Sequence, residues 1–181
     1  MLIQLLILAV VISLLALLYA RWEYRKHGKL TLMGLLLLCV MLFIPNLMLE
    51  HATRYRMPGT FLGYIGVVSG LAGLAILLWG VKQFRSIPKM LCVDTGDLTV
   101  SGPYRWSRNP QYVGWVLFLL GFALIDWSLW CLAALIIVAV SLHLLVLIEE
   151  EHLLRVFGER YAEFRRKTPR YAGWKHTKTI N

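Results

Sequence analysis

Two stretches of the chain gather side chains able to bind and react. Ser101-Gly-Pro-Tyr-Arg-Trp-Ser-Arg-Asn-Pro-Gln-Tyr-Val-Gly114 interleaves Arg105 and Arg108 with Tyr104, Trp106 and Tyr112. It leads into a helix expected to begin near Pro110, since proline is favoured in a first turn. Glu149-Glu-Glu-His-Leu-Leu-Arg-Val-Phe-Gly158 places carboxylates at the end of a long apolar run. The first stretch offers backbone amides at a helix start, guanidinium groups and stackable rings; the second offers anions. Joined, they suit a ligand that carries both charges. His143 lies seven residues before Glu150, near the same helix face. An ionisable group within an apolar run is a functional candidate, and its other reading is a hydrogen-bonded histidine packed between helices. Cys39, Cys92 and Cys131 share no metal-ligand spacing and read as packing residues.

The elements that must position these residues follow from composition. Of 181 residues, 59% are hydrophobic and 16% charged, with net charge +9 and mean hydropathy +0.65. So much apolar sequence indicates a membrane protein and leaves no room for a separate nucleotide-binding α/β domain. Apolar runs cover residues 2–20, 30–49, 60–81, 112–125 and 127–148. The expectation is one all-α membrane domain over residues 1–181 with five transmembrane helices. Residues 1–81 supply three spans, and residues 82–181 form a catalytic half of loop, helical hairpin and tail. Pro45 is expected to kink the second helix. Gly66 and Gly70, with Gly63 and Gly73 nearby, form a face that a second helix can approach closely. The polar stretch 82–109 is a long loop of the kind that carries function.

Basic residues flank the apolar runs instead of alternating with exposed aromatics on one soluble face, so their pattern excludes nucleic acid as the expected partner. Across five spans, 17 of the 19 Lys and Arg residues fall on one side, leaving Arg54 and Arg56 on the other. The positive-inside rule then puts the N-terminus outside and the loop and C-terminal tail in the cytoplasm. The first run has no basic residue before it and four soon after it, the reverse of a signal peptide, and is expected to be retained. Beyond Glu151, Leu153, Phe157, Tyr161 and Phe164 recur at helical spacing among arginines. This predicts an amphipathic tail helix, lying on the membrane surface or folded against the long loop.

The motifs themselves resemble the integral membrane methyltransferases related to isoprenylcysteine carboxyl methyltransferase and to phospholipid N-methyltransferases. That signature runs Gly-Pro-Tyr, Arg-His-Pro-x-Tyr-x-Gly, a helical hairpin, Glu-Glu-x-x-Leu-x-x-x-Phe-Gly-x-x-Tyr and a late Pro-Arg. Gly102, Pro103, Tyr104, Arg108, Pro110, Tyr112, Gly114, Glu149, Glu150, Leu153, Phe157, Gly158, Tyr161, Pro169 and Arg170 fit it. The resemblance implies binding of S-adenosylmethionine on the cytoplasmic side and entry of the methyl acceptor from the bilayer. Carried over, the cofactor contacts fall on Gly96, Asp97, Leu98, Thr99, Tyr104, Asn109, Pro110, Gln111, Tyr112 and Glu149. Arg108, His143 and Glu150 become the candidate catalytic residues. Chemically, Arg108 and amides near Pro110 would hold the donor's carboxylate, Glu149 its ammonium group, and Tyr104 or Tyr112 an apolar face.

Two positions depart from the pattern. Asn109 stands where the family has histidine, and an amide hydrogen-bonds without titrating as a general base. Leu145 stands where the prenylcysteine enzymes carry an arginine that pairs with the substrate's carboxylate. The expected function is therefore S-adenosylmethionine-dependent methyl transfer to a lipid or small hydrophobic acceptor, such as an amine or a thiol, and not to a prenylcysteine carboxylate. The bilayer and this acceptor are the expected partners, with no obligate protein partner. Two rivals remain at this stage: an NADPH-dependent membrane reductase of sterol-reductase-like architecture, and a catalytically silent scaffold.

Overall fold

The computed structural model describes residues 2–53, 59–83, 98–125, 127–171 and 173. All regular structure among them is helical: α1 (Leu2–Lys26), α2 (Leu32–Thr53), α3 (Phe61–Lys82), a 3-10 turn (Gly102–Arg105), α4 (Pro110–Ile125), α5 (Leu129–Phe157) and α6 (Glu159–Lys167). Three of these, α1, α3 and α5, are long and apolar enough to cross a membrane; α2 runs for 22 residues with Leu32–Leu47 as its described apolar stretch, and α4 runs for 16. Length thus supports three spans directly where the sequence leads one to expect five. α2 and α4 lie in the same bundle, because α2 packs on α1 and α5 and α4 packs on α3 and α5. Large apolar side chains such as Leu18, Phe61, Val68 and Leu71 remain exposed on the outer faces, as a hydrocarbon solvent permits.

Local chemistry sets the helix ends. Thr60 and Ser128 are N-caps whose hydroxyls accept from the amides of Gly63 at 3.1 Å and Cys131 at 3.2 Å. Pro110 opens α4. α2 runs on through Pro45 as one helix, and beside the missing donor the Asn46 side chain donates to the Leu42 carbonyl at 2.6 Å. α5 extends beyond the apolar run to Phe157 and stops at Gly158, whose φ of 52° lies in the left-handed region. That break corrects the continuous tail helix expected from spacing. Leu153 and Phe157 belong to α5, whereas Tyr161 and Phe164 sit on the separate nine-residue α6.

Two helix pairs build the bundle. α1 and α2 are tied by Glu23, a fully buried carboxylate that accepts from the Thr31 amide at 3.0 Å and from the Thr31 hydroxyl. Thr31 precedes the first residue of α2, so this carboxylate sits at the positive end of that helix. Gly34 leaves the space it occupies, since a Cβ there would collide with the Glu23 carboxylate. α3 and α4 pack backbone on backbone. A Cβ at Gly66 would lie 2.6 Å from the Gly121 carbonyl oxygen, and one at Gly114 would lie 2.7 Å from the Gly73 carbonyl oxygen. The expected small-residue face on α3 is therefore met by Gly114 and Gly121 of α4, one helix pair in which both partners lack side chains at the crossing.

Gly121→Ala should overpack this crossing, where backbone atoms of Gly66 and Gly70 are the neighbours, and cost about 1–3 kcal/mol. Gly59→Ala, with open space around the added methyl, should be close to neutral. Thermal unfolding of both variants in one detergent checks the ranking; equal melting temperatures would refute the tight crossing.

Candidate functional site

One end of the bundle collects the polar groups. The C-terminal end of α1 reaches α5 through Arg25 and Glu151 at 2.9 Å. The end of α3 reaches the 3-10 turn through Ser101 and Gln83 at 3.2 Å. The start of α4 reaches the end of α5 through Arg108 and Glu150 at 2.9 Å. The two motif stretches, 48 residues apart at their first members, are thereby neighbours in space.

Glu150 is the hub. Its carboxylate takes Arg108 Nη2 at 2.9 Å on one oxygen, and Arg170 Nε and Nη2 at 3.2 and 2.9 Å across both. Arg108 and Glu150 are nearly inaccessible, at 6% and 7% side-chain exposure. Burial pulls the Arg108 guanidinium below its usual range while Glu150 opposes that shift, and the hydrogen bond to Glu150 raises Arg170. Backbone bonds complete the junction. The Arg108 amide donates to the Pro169 carbonyl at 3.0 Å, Arg108 Nη1 to the Arg165 carbonyl at 3.2 Å, and Asn109 Nδ2 to the Arg170 carbonyl at 3.1 Å. Tyr161 of α6 is buried beside this cluster, and burial together with the Glu150 charge holds its hydroxyl protonated well above the ordinary tyrosine range.

The neighbouring carboxylate has a different outlook. Glu149 accepts from the Tyr112 hydroxyl at 2.7 Å, and both residues line an open-sided cavity of about 220 Å³ between α2, α3, α4 and α5. Gln111 shares this polar end, and its carbonyl oxygen accepts from the hydroxyl of buried Tyr104 at 3.0 Å. The opposite walls are apolar, with Leu38, Leu42, Leu77 and Leu142 among them. Leu145 lies on the same wall, one turn before Glu149. α2 and α3 make little direct contact, so the cavity lies in the gap between the two helix pairs.

The structure sorts the residues singled out from sequence into groups. Gln111, Tyr112 and Glu149 meet at the cavity's polar end, Tyr104 is buried behind Gln111 and bonded to it, and Pro110 starts the helix that carries Gln111 and Tyr112. Arg108, Asn109 and Glu150 face the tail junction, where their polar groups already bind protein partners. Arg108 is thus engaged by Glu150 and the Arg165 carbonyl, away from the free role toward a donor's carboxylate that its type suggests. Leu98 and Thr99 lie half-buried on an irregular stretch; Gly96 and Asp97 fall outside the described residues, as does Cys92. Cys39 is a free thiol, and Cys131 is buried in the core. His143 is exposed and pairs through Nδ1 with the Tyr171 hydroxyl at 2.8 Å, so the tail also contacts the middle of α5. Sequence reasoning left Arg170 without a role, although its place in the terminal Pro-Arg motif opposite paired glutamates was the available signal.

A family model described as phospholipid methyltransferase matches residues 58–160, the stretch from just before α3 to the start of α6. The chain belongs to the phospholipid methyltransferase family. Family membership and three long apolar helices together make it a multi-pass integral membrane protein. Among curated proteins, it is 30% identical over 115 residues to a protein-S-isoprenylcysteine O-methyltransferase of Xenopus laevis, covering 61% of this chain and 40% of that one. It is 34% identical over 84 residues to the Homo sapiens protein of the same name, covering 42% of this chain and 27% of that one. The chain thus spans less than half the length of these relatives. No solved structure gives a significant match. The family match takes in α3, the loop, α4 and α5 and omits α1 and α2, so the glycine-packed helix pair is part of the shared unit. Nothing in these comparisons counts against a prenylcysteine acceptor.

Removing the hub should separate the roles of its two arginines. Glu150→Gln leaves Arg108 buried without a counter-charge and should cost about 3–5 kcal/mol. Arg170→Gln removes the more exposed partner and leaves the Arg108–Glu150 pair, so its loss should be smaller. Limited trypsin digestion between Arg165 and Arg170, with thermal unfolding alongside, reads both; equal protection of all three proteins would refute the hub.

Proposed function

We propose that this chain transfers a methyl group from S-adenosylmethionine to a lipid-borne acceptor held in the cavity between α2, α3, α4 and α5. The observation that carries the reading is the Tyr112–Glu149 pair at the polar end of an otherwise apolar cavity, within a chain of the methyltransferase family. In this reading α2 and α4 also cross the bilayer, giving five crossings. The N-terminus is then outside, and the polar end of the bundle faces the cytoplasm, the side that the distribution of basic residues favours.

The residues present suit the donor's parts. Glu149 supplies an anion for its ammonium group, and the Tyr112 hydroxyl holds that carboxylate at a defined distance. Tyr112 offers a ring face for cationic or planar parts, and Tyr104 fixes Gln111 from behind. The stretch Gly96, Asp97, Leu98 and Thr99, with Pro110 and Gln111, completes the proposed donor contacts, and Asn109 supports them from the junction through its bond to the Arg170 carbonyl. Bound there, the donor supplies a methyl carbon made electrophilic by its sulfonium. The protein's own share is position and dryness: apolar walls exclude water and the fixed α4–α5 junction holds the polar end in register. Arg108 and Glu150 act in this scheme as positioning residues, because their charged groups bind each other and the tail. His143 serves through Tyr171 in the same way.

For the acceptor, we propose a head group without a free carboxylate, such as an amine or a thiol. The cavity's lining among the described residues includes no cation, Leu145 is apolar, and the one acidic side chain is Glu149. An acceptor carboxylate would there meet like charge. The gap between α2 and α3 offers a sideways route for an acyl or prenyl chain from the bilayer.

Equilibrium binding of S-adenosylhomocysteine to detergent-purified protein, with NADPH as competitor, tests the donor site. Micromolar binding, weakened at least tenfold by Glu149→Ala, about 1.4 kcal/mol, and unaffected by NADPH is the expected result. Absence of binding by a folded sample would remove the donor assignment. Turnover on a prenylcysteine carboxylate equal to that on any lipid amine or thiol would overturn the acceptor class alone.

A further inference from the structure

The polar end of α1 carries a second site, on the outer face of the bundle and separate from the cavity. Leu18, Arg21, Trp22, Arg25 and Lys26 line an open groove of about 440 Å³. Its cations are organised. Glu151 of α5 receives Arg25 Nε and Nη2 at 3.3 and 2.9 Å, Arg21 Nη2 at 3.4 Å and Arg155 Nη2 at 3.9 Å. Lys26 Nζ stands 4.6 Å from the centre of the Trp22 ring. Three arginines therefore share one carboxylate, with Lys26 beside them on the Trp22 ring, and the surplus of positive charge is exposed, with Arg21 and Arg25 half accessible. A single anion that bridges Arg21, Arg25 and Lys26 would complement it.

We infer that this groove binds the phosphate of an anionic phospholipid. The choice of a lipid over a soluble phosphate rests on what lies next to the charges. Leu18, at 66% exposure, forms the groove's other end, and exposed Leu14 and Leu15 continue from it along α1. The groove thus passes within two turns from guanidinium groups to bare apolar helix, the same order as phosphate and acyl chain in a lipid. Trp22 and Tyr19, with ring centres 5.5 Å apart, stand at that transition, where amphipathic rings favour the interface. Glu151 both orients the arginines and competes with the phosphate for them. That gives its removal an unusual sign: loss of the carboxylate weakens the α1–α5 tie but frees cationic donors for the lipid. The inference does not depend on methyl transfer and holds for any reading of the cavity.

Native mass spectrometry of the detergent-purified full chain, titrated with phosphatidylglycerol or phosphatidylcholine, tests it. The first bound phosphatidylglycerol should be at least tenfold tighter than phosphatidylcholine. Arg21→Gln combined with Lys26→Gln should abolish that preference, Glu151→Gln should increase it, and Arg166→Gln, on exposed α6, should leave it unchanged. Equal binding of the two lipids, or a preference that survives the double substitution, would overturn the site. Competition by soluble glycerophosphoglycerol at the lipid's own concentration would overturn the lipid assignment, since the acyl chain would then contribute nothing. A melting temperature recorded for each variant separates lost binding from lost fold.

Discussion

The tertiary arrangement at the polar end rests on one buried charge cluster, Glu150 held between Arg108 and Arg170. Placing a carboxylate and a guanidinium at 7% and 6% exposure is costly unless each is the other's partner. That condition binds together three segments far apart in sequence: the turn before α4, the last turns of α5 and the segment after α6. Because Arg108 also donates to the Arg165 carbonyl, and its amide to that of Pro169, the tail has little freedom to sit elsewhere. With the tail in place, Glu150 faces the junction and Glu149, one residue earlier and about 100° around the helix, faces the cavity. Two adjacent glutamates thereby acquire opposite tasks from helix geometry alone.

The other constraint is the glycine crossing of α3 and α4. Backbones this close leave no side chains between the helices, so the pair behaves as one thick element. α1 and α2 form a second unit through the Glu23 carboxylate and Thr31, and small residues such as Ala16 and Ala20 let it pack inward. α5 touches both units. The cavity is what remains where rigid pairs meet and α2 and α3 do not close on each other. Its apolar walls are thus a product of packing, and its polar end is a product of where Tyr112 and Glu149 fall on α4 and α5.

Much of this was readable in the residues. Length of apolar runs, Pro110 and the glycine spacing on α3 led to the helices, the start of α4 and the close crossing, because each signal acts within a few residues. The meeting of the two motif stretches followed from the hairpin. Partners in three dimensions were harder to read. Nothing local says that Arg108 turns to Glu150 and away from a ligand, that Gly121 is the counterpart of Gly66, or that Arg21 and Arg25 converge on Glu151. The tail misled for a specific reason: apolar spacing continues smoothly from Leu153 to Phe164, while the break comes from a single backbone angle at Gly158. Spans were harder still, since α4 has 16 residues and owes its place to neighbours as much as to hydropathy.

Asn109 shows how geometry changes the meaning of a departure from a motif. Read as chemistry, an amide in place of a titratable ring suggests a lost proton acceptor, and with it a silent protein. In the structure the side chain is buried, its Nδ2 donates to the Arg170 carbonyl, and its backbone amide donates to Ser107 Oγ at 3.1 Å. The task there is to donate one neutral hydrogen bond to the tail, which an amide does as well as an imidazole N–H. Asn109 is thus no argument for loss of activity, because the position works on the junction side of α4. The departure that reaches the cavity is Leu145, which lines it one turn from Glu149. Differences between this chain and its relatives should therefore be sought in what the cavity accepts, with the junction that supports it left common to both.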